Sequence, residues 1–108
     1  MGRELLGLPC PPTAMFAASD THAIGVMESA GDLGLEVPQD LSVIGYDDIE
    51  IAEYQNLTTI RQPLFASGVE GVALLLDAIA SPPSQSPPRR VLLPLDLVVR
   101  GTTVPPGS

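Results

Sequence analysis

The sequence contains no lysine and a single cysteine, and its five basic residues are all arginine. Each shortage closes off a class of function. Without lysine no Walker-type phosphate loop can be built, and the acidic-cluster chemistry of a phosphoacceptor domain loses the amine it leans on. Cys10 alone forms no internal disulfide, which fits a reducing compartment. Thirteen acids leave a net charge of −8, so most of the surface should repel nucleic acid and anionic membranes. Arg89-Arg90 is the one basic cluster, too short to track a phosphate backbone. No apolar run is long enough to span a bilayer, and the first residues lack the order of a signal peptide. The Gly-x-Gly-x-x-Gly of dinucleotide sites and the Gly-x-Ser-x-Gly of a nucleophile elbow are both missing.

What is present is a globular composition, 44% hydrophobic over 108 residues, enough for one small domain with a modest core. Met1 to Leu8 reads as the last turns of a helix, broken by the prolines at 9–12. "TAMFAA" (13–18) reads as a short buried strand. Ser19 or Asp20 suits the N-cap of a helix over 21–33, whose Ala23, Val26, Met27, Ala30 and Leu33 recur at helical spacing. Gly34 suits its end. Residues 41–46 read as a second strand, 48–56 as an acidic loop or short helical turn, and "LTTIRQ" (57–62) as a third strand. Pro63 opens a helix to about residue 80, with Phe65, Val69, Val72, Leu76 and Ile79 along one stripe. The Pro/Ser stretch 81–88 reads as a loop. Strand segments over 91–95 and 97–102 follow, divided at Pro94. The alternation of strand and helix with short links predicts an α/β fold with a parallel sheet, whose ligands gather at the carboxyl ends of strands.

Two acids stand at such an end, in "SVIGYDD" (42–48). A buried strand does not tolerate adjacent carboxylates unless they leave the sheet or serve a ligand. They could form an acid/base or metal pair, or one could cap a turn while the other is solvated. The preferred reading is a ligand carboxylate at Asp47, since an ionised Asp accepts hydrogen bonds from two neighbouring hydroxyls of a polyol. Ser19, Asp20 and His22 have the residue types of a hydrolase triad but lie too close together to form its relay. One histidine and one cysteine make no metal site. These absences leave no enzymatic reading and call for no cofactor. Ile49, Ile51 and Tyr54 could tuck back onto the sheet or anchor a partner chain.

Nearly the whole chain resembles the C-terminal part of the lactose-repressor/galactose-repressor (LacI/GalR) transcription regulators. The likeness runs in order through "VIGYDD", "LTTIRQP", "GVEGVALLLDAI" and "LVVRGTT". It implies part of a periplasmic-binding-protein-like fold: two α/β subdomains with a small-molecule effector, a sugar, between them. Residues 1–62 would belong to the second subdomain and 63–96 to the first, with 97–108 returning to the second. By the same resemblance Asp47 is the hydroxyl acceptor, and Ser19 stands where an effector-facing asparagine is common. Gln62 and Leu64 fall near effector-facing positions of the other subdomain. Ile24, Met27, Glu28, Ile51 and Tyr54 match surfaces used for dimerisation.

The family's helix-turn-helix headpiece is not among these residues, so the stretch is expected to read no DNA by itself. A homodimer or higher self-associated form, no membrane contact and a cytoplasmic location are the remaining expectations. The Phe65–Ile79 stripe would have to find cover, by exchange of the C-terminal helix and strand between copies. A periplasmic-type sugar-binding protein and a self-association module without ligand are the alternative readings.

Overall fold

The computed structural model describes residues 1–81 and 87–107. Its elements run α1 (Gly2–Leu6), β1 (Ala14–Phe16), α2 (Asp20–Asp32), β2 (Ser42–Ile44), α3 (Glu50–Tyr54), β3 (Thr59–Arg61), α4 (Leu64–Ala80) and β4 (Asp96–Val98). Two compact units result. One comprises Met1–Arg61 with Asp96–Ser108, the other Gln62–Leu95.

In the first unit β1 and β2 pair in parallel, with Met15 opposite Val43. Isolated parallel bridges at Ile44–Thr58 and Asp47–Arg61 tie β2 to the β3 segment. β3 then pairs with β4 antiparallel, Arg61 opposite Asp96. The expected α/β fold with a parallel sheet is therefore present, and β4 adds an antiparallel partner. The C-terminal segment is stitched in by hydroxyls. Thr102 Oγ1 donates to the Val43 carbonyl (2.7 Å) and accepts from Thr58 N (2.9 Å). Thr58 and Thr103 hydroxyls lie 3.0 Å apart.

The core is small: Leu6, Ala17, Ala23, Ala30, Leu41, Val43, Ala52 and Leu57. Ala23 and Ala30, the buried apolar residues of α2, keep side-chain bulk small between helix and core. Val26 and Met27 pack partly against this cluster as the helical spacing predicts. Leu33 does not; it is the C-cap residue, where the helical spacing no longer sets its direction, and it is 44% exposed. Gly34 follows with φ +75°, a left-handed turn that glycine enters without steric cost. Asp40 closes the next turn by accepting the Glu36 amide at 2.8 Å.

The remaining differences from expectation lie near the C-terminus. Residues 91–95 form no strand: Pro94 lacks an amide, and no partner strand is present among the described residues. The final strand is Asp96–Val98, shorter than the 97–102 expected; beyond it, residues 101–104 bond to β2 and to the residues before β3 through a mixture of backbone and hydroxyl groups. Pro63 is the N-cap of α4 and lies just outside its first turn. The Pro/Ser loop falls largely outside the described residues, at 82–86.

The second unit holds α4, a 17-residue helix without a single buried residue. Its expected stripe is exposed at Phe65 (87%), Val69, Val72, Leu76 and Ile79. Asp77 on this helix pairs with Arg89 at 2.6 Å.

Candidate functional site

The acids sit in the turn that follows β2. Both have positive φ, +111° at Asp47 and +57° at Asp48. Asp is among the few non-glycine residues that enter this region, and adjacent examples need outside ties to persist. The ties are visible. Tyr46 accepts the Asp20 amide (2.9 Å), Asp47 donates its amide to the Ile60 carbonyl (2.9 Å), and Ile49 donates its amide to the Asp20 carboxylate (2.8 Å). The chain is therefore pinned on both sides of the pair, to α2 and to β3.

Asp48 has two guanidinium partners. Its Oδ2 meets Arg61 Nε at 2.8 Å and its Oδ1 meets Arg100 Nη2 at 2.9 Å. Arg100 also donates to the Leu57 carbonyl at 2.9 Å, which fixes it on the residues just before β3. The sequence left open which acid of the pair would be tied down; at Asp48 the bonds are to arginine side chains. Burial pushes the Asp48 carboxyl up, but the hydrogen bonds and charges of Arg61 and Arg100 outweigh it and hold the group below its ordinary 3.8.

A depressed carboxylate stabilises the fold at pH values above its ordinary range, and that contribution fades as pH falls through the lowered value. Asp48→Asn is accordingly expected to lower unfolding free energy by about 2 kcal/mol at neutral pH, most of it from Arg100, since Arg61 is more exposed and screened. The difference from the parent chain should shrink as pH drops below 3.8. Urea titrations at neutral and acid pH measure both; a gap that stays constant with pH would contradict the assignment.

Asp47 is half-buried and Ser19 half-buried, at the carboxyl ends of the adjacent parallel strands β2 and β1. Ser19 is the N-cap of α2: its Oγ accepts the His22 amide at 3.2 Å and stands 2.8 Å from His22 Nδ1. Part of its bonding capacity is thus committed to the helix start. Gln62 and Leu64 open the second unit; Gln62 is half-buried and its carbonyl accepts the Leu64 amide at 2.9 Å, and Leu64 is exposed. Of the expected dimer residues, Ile24 and Met27 are half-buried, and Glu28, Ile51 and Tyr54 are exposed, Tyr54 to 78%. Among the described residues no three His, Cys, Asp or Glu side chains gather as metal ligands. Among the described residues no helix is long and apolar enough to cross a membrane.

Asp20 has more bonds across the fold than its sequence position suggests. It was read as a capping candidate, yet it is fully buried, and its second oxygen accepts the Thr59 hydroxyl at 2.6 Å. Nothing in the sequence marks these bonds, because the partners lie 29 and 39 residues away.

Comparison with known proteins matches this arrangement to one family. Residues 2–103 match the periplasmic binding protein-like domain. The HTH-type transcriptional repressor CytR of Escherichia coli is 43% identical over 103 residues, 94% of this chain and 30% of that protein. The ribose operon repressor of Escherichia coli is 40% identical over 102 residues, 93% of this chain and 30% of its own length. The crystal structure of the lac repressor dimer bound to operator and the anti-inducer ONPF superposes with a TM-score of 0.82 at 38% identity, covering 96% of this chain and 36% of that one. A LacI transcriptional regulator from Rhodococcus gives 0.81 at 36% identity, covering 94% and 37%. These relatives are transcription repressors and regulators, not enzymes, and the chain spans about 30% of the curated ones. The chain belongs to the periplasmic binding protein-like domain family and is a portion of a LacI-family effector domain.

Proposed function

We propose that this chain is the effector-binding and dimerising portion of a cytoplasmic transcriptional regulator that responds to a sugar or a similar polyol. The observation that carries the reading is Asp47, a half-buried acid held in a left-handed turn at the carboxyl end of a parallel strand. An ionised carboxylate in that place accepts two hydroxyl hydrogens at once, and each charged bond is worth about 1.5–3 kcal/mol. Ser19 contributes from the neighbouring strand end, and Gln62 and Leu64 are further effector contacts. Ile24, Met27, Glu28, Ile51 and Tyr54 form the dimer surface. Asp48, bound to two arginines, is not available to a ligand and serves to fix the turn.

In the whole regulator the effector would act by preferring one arrangement of the domain over another, and the dimer would pass that preference to DNA-reading elements. At a net charge of −8 the present residues have no footprint for DNA. Calorimetry against a panel of pentoses and hexoses tests the reading. One of them should bind, and Asp47→Ala should weaken it by about a hundredfold, the loss of two charge-assisted bonds. Unchanged affinity in that variant would end the assignment.

A further inference from the structure

We infer that Asp20 is the positioning residue of the effector turn: its buried carboxylate holds Asp47 in the left-handed conformation that presents it at the sheet edge. The inference rests on the reading of Asp47 as the hydroxyl acceptor and adds a residue that touches no ligand. Asp20 is the first residue of α2 and has no exposed surface. Three of its bonds run to residues outside α2. The amide goes to the Tyr46 carbonyl at 2.9 Å, just before the acid pair, and Oδ2 takes the Ile49 amide at 2.8 Å, just after it. Oδ1 takes the Thr59 hydroxyl at 2.6 Å, anchoring the same carboxylate to β3.

One residue, through its backbone amide on one side and its carboxylate on the other, thus closes a ring around residues 46–49. Inside that ring lie the two non-glycine residues with φ +111° and +57°. Such a conformation costs about 1–3 kcal/mol per residue and lasts only where the surroundings over-determine it. The carboxylate's own negative charge sits at a helix N-terminus, where the aligned peptide dipoles favour it. Gly45 keeps the space clear: a Cβ there would run into Asp20 Oδ1.

Bonding geometry, and not charge, is what the turn requires. An asparagine can accept the Ile49 amide with its carbonyl and donate to Thr59 Oγ1 with its amide, because a hydroxyl can reverse its role. Alanine can do neither. Hydrogen exchange of the full chain, resolved to single amides by fragmentation mass spectrometry, reads the difference without any effector. In Asp20→Ala the Asp47 and Ile49 amides should exchange at least about tenfold faster, with Val43 and Gly45 changed less than about twofold. In Asp20→Asn all of these amides should keep parental rates.

Equal loosening in both variants, equal loosening at Val43 and Gly45, or no change at Asp47 and Ile49 would each overturn the inference. Should Asp20→Ala fail to fold, Thr59→Val removes the anchoring hydroxyl alone. It should speed Ile49 exchange about threefold, and parental rates there would overturn the proposal as well. A tight turn in a chain that binds none of the panel sugars would instead count against the effector reading, so the two can fail separately.

Discussion

Gly45→Ala should destabilise the first unit by about 4 kcal/mol, among the largest single effects available in this chain. The methyl group has nowhere to go. It would overlap the Asp20 carboxylate, stand 3.0 Å from Leu57 Cδ2 and 3.1 Å from the Asp20 Cα. Leu57 and Asp20 are both fully buried, and one of the clashing atoms is backbone. Relief requires moving the start of α2 away from β2. That movement breaks the bonds from Asp20 to Thr59 and Ile49, so overpacking is compounded by lost charge-assisted hydrogen bonds. Urea denaturation followed by far-ultraviolet circular dichroism measures the loss. The cost should fall in an Asp20→Ala background, where the obstructing oxygens are gone, and a double-mutant cycle would read that coupling as at least about 1 kcal/mol. Strict additivity would mean that the clash is not with the carboxylate.

Position 45 also shows what a sequence can and cannot say about such a site. The strand end with two acids was legible, because apolar β-formers followed by carboxylates break a local rule. So were α2, with Gly34 at its end, and the stripe of α4, since periodicity and glycine placement are local signals. The clamp was not. Asp20 reads like any acid at a helix start, and Arg61 and Arg100 read like solvated charges. Their roles come from tertiary neighbours: Thr59, Ile49 and Asp48. Residues 91–95 failed for the opposite reason. Their apolar content favours a strand, but pairing needs a partner, and propensity is silent about partners.

The chain should self-associate in solution at micromolar concentration through α4. Phe65, Val69, Val72, Leu76 and Ile79 are 54–87% exposed on one helix, with Leu64 and Leu75 exposed besides. A large apolar side chain gains about 1.5–3 kcal/mol on burial, so two copies burying five each at the low end gain about 15 kcal/mol. Association itself costs about 4–15 kcal/mol, and a surplus of about 8 kcal/mol corresponds to micromolar affinity. A second copy is the cover that the chain itself can always supply. The net charge of −8 opposes it, so added salt should strengthen the complex while screening the repulsion. That sign separates apolar docking from association by ion pairs, which salt weakens. Val72→Asp with Leu76→Asp should return the chain to a monomer by sedimentation velocity without shifting hydrogen exchange at Val43 or Gly45. A monomeric parent chain at tens of micromolar would show that α4 finds its cover within one copy.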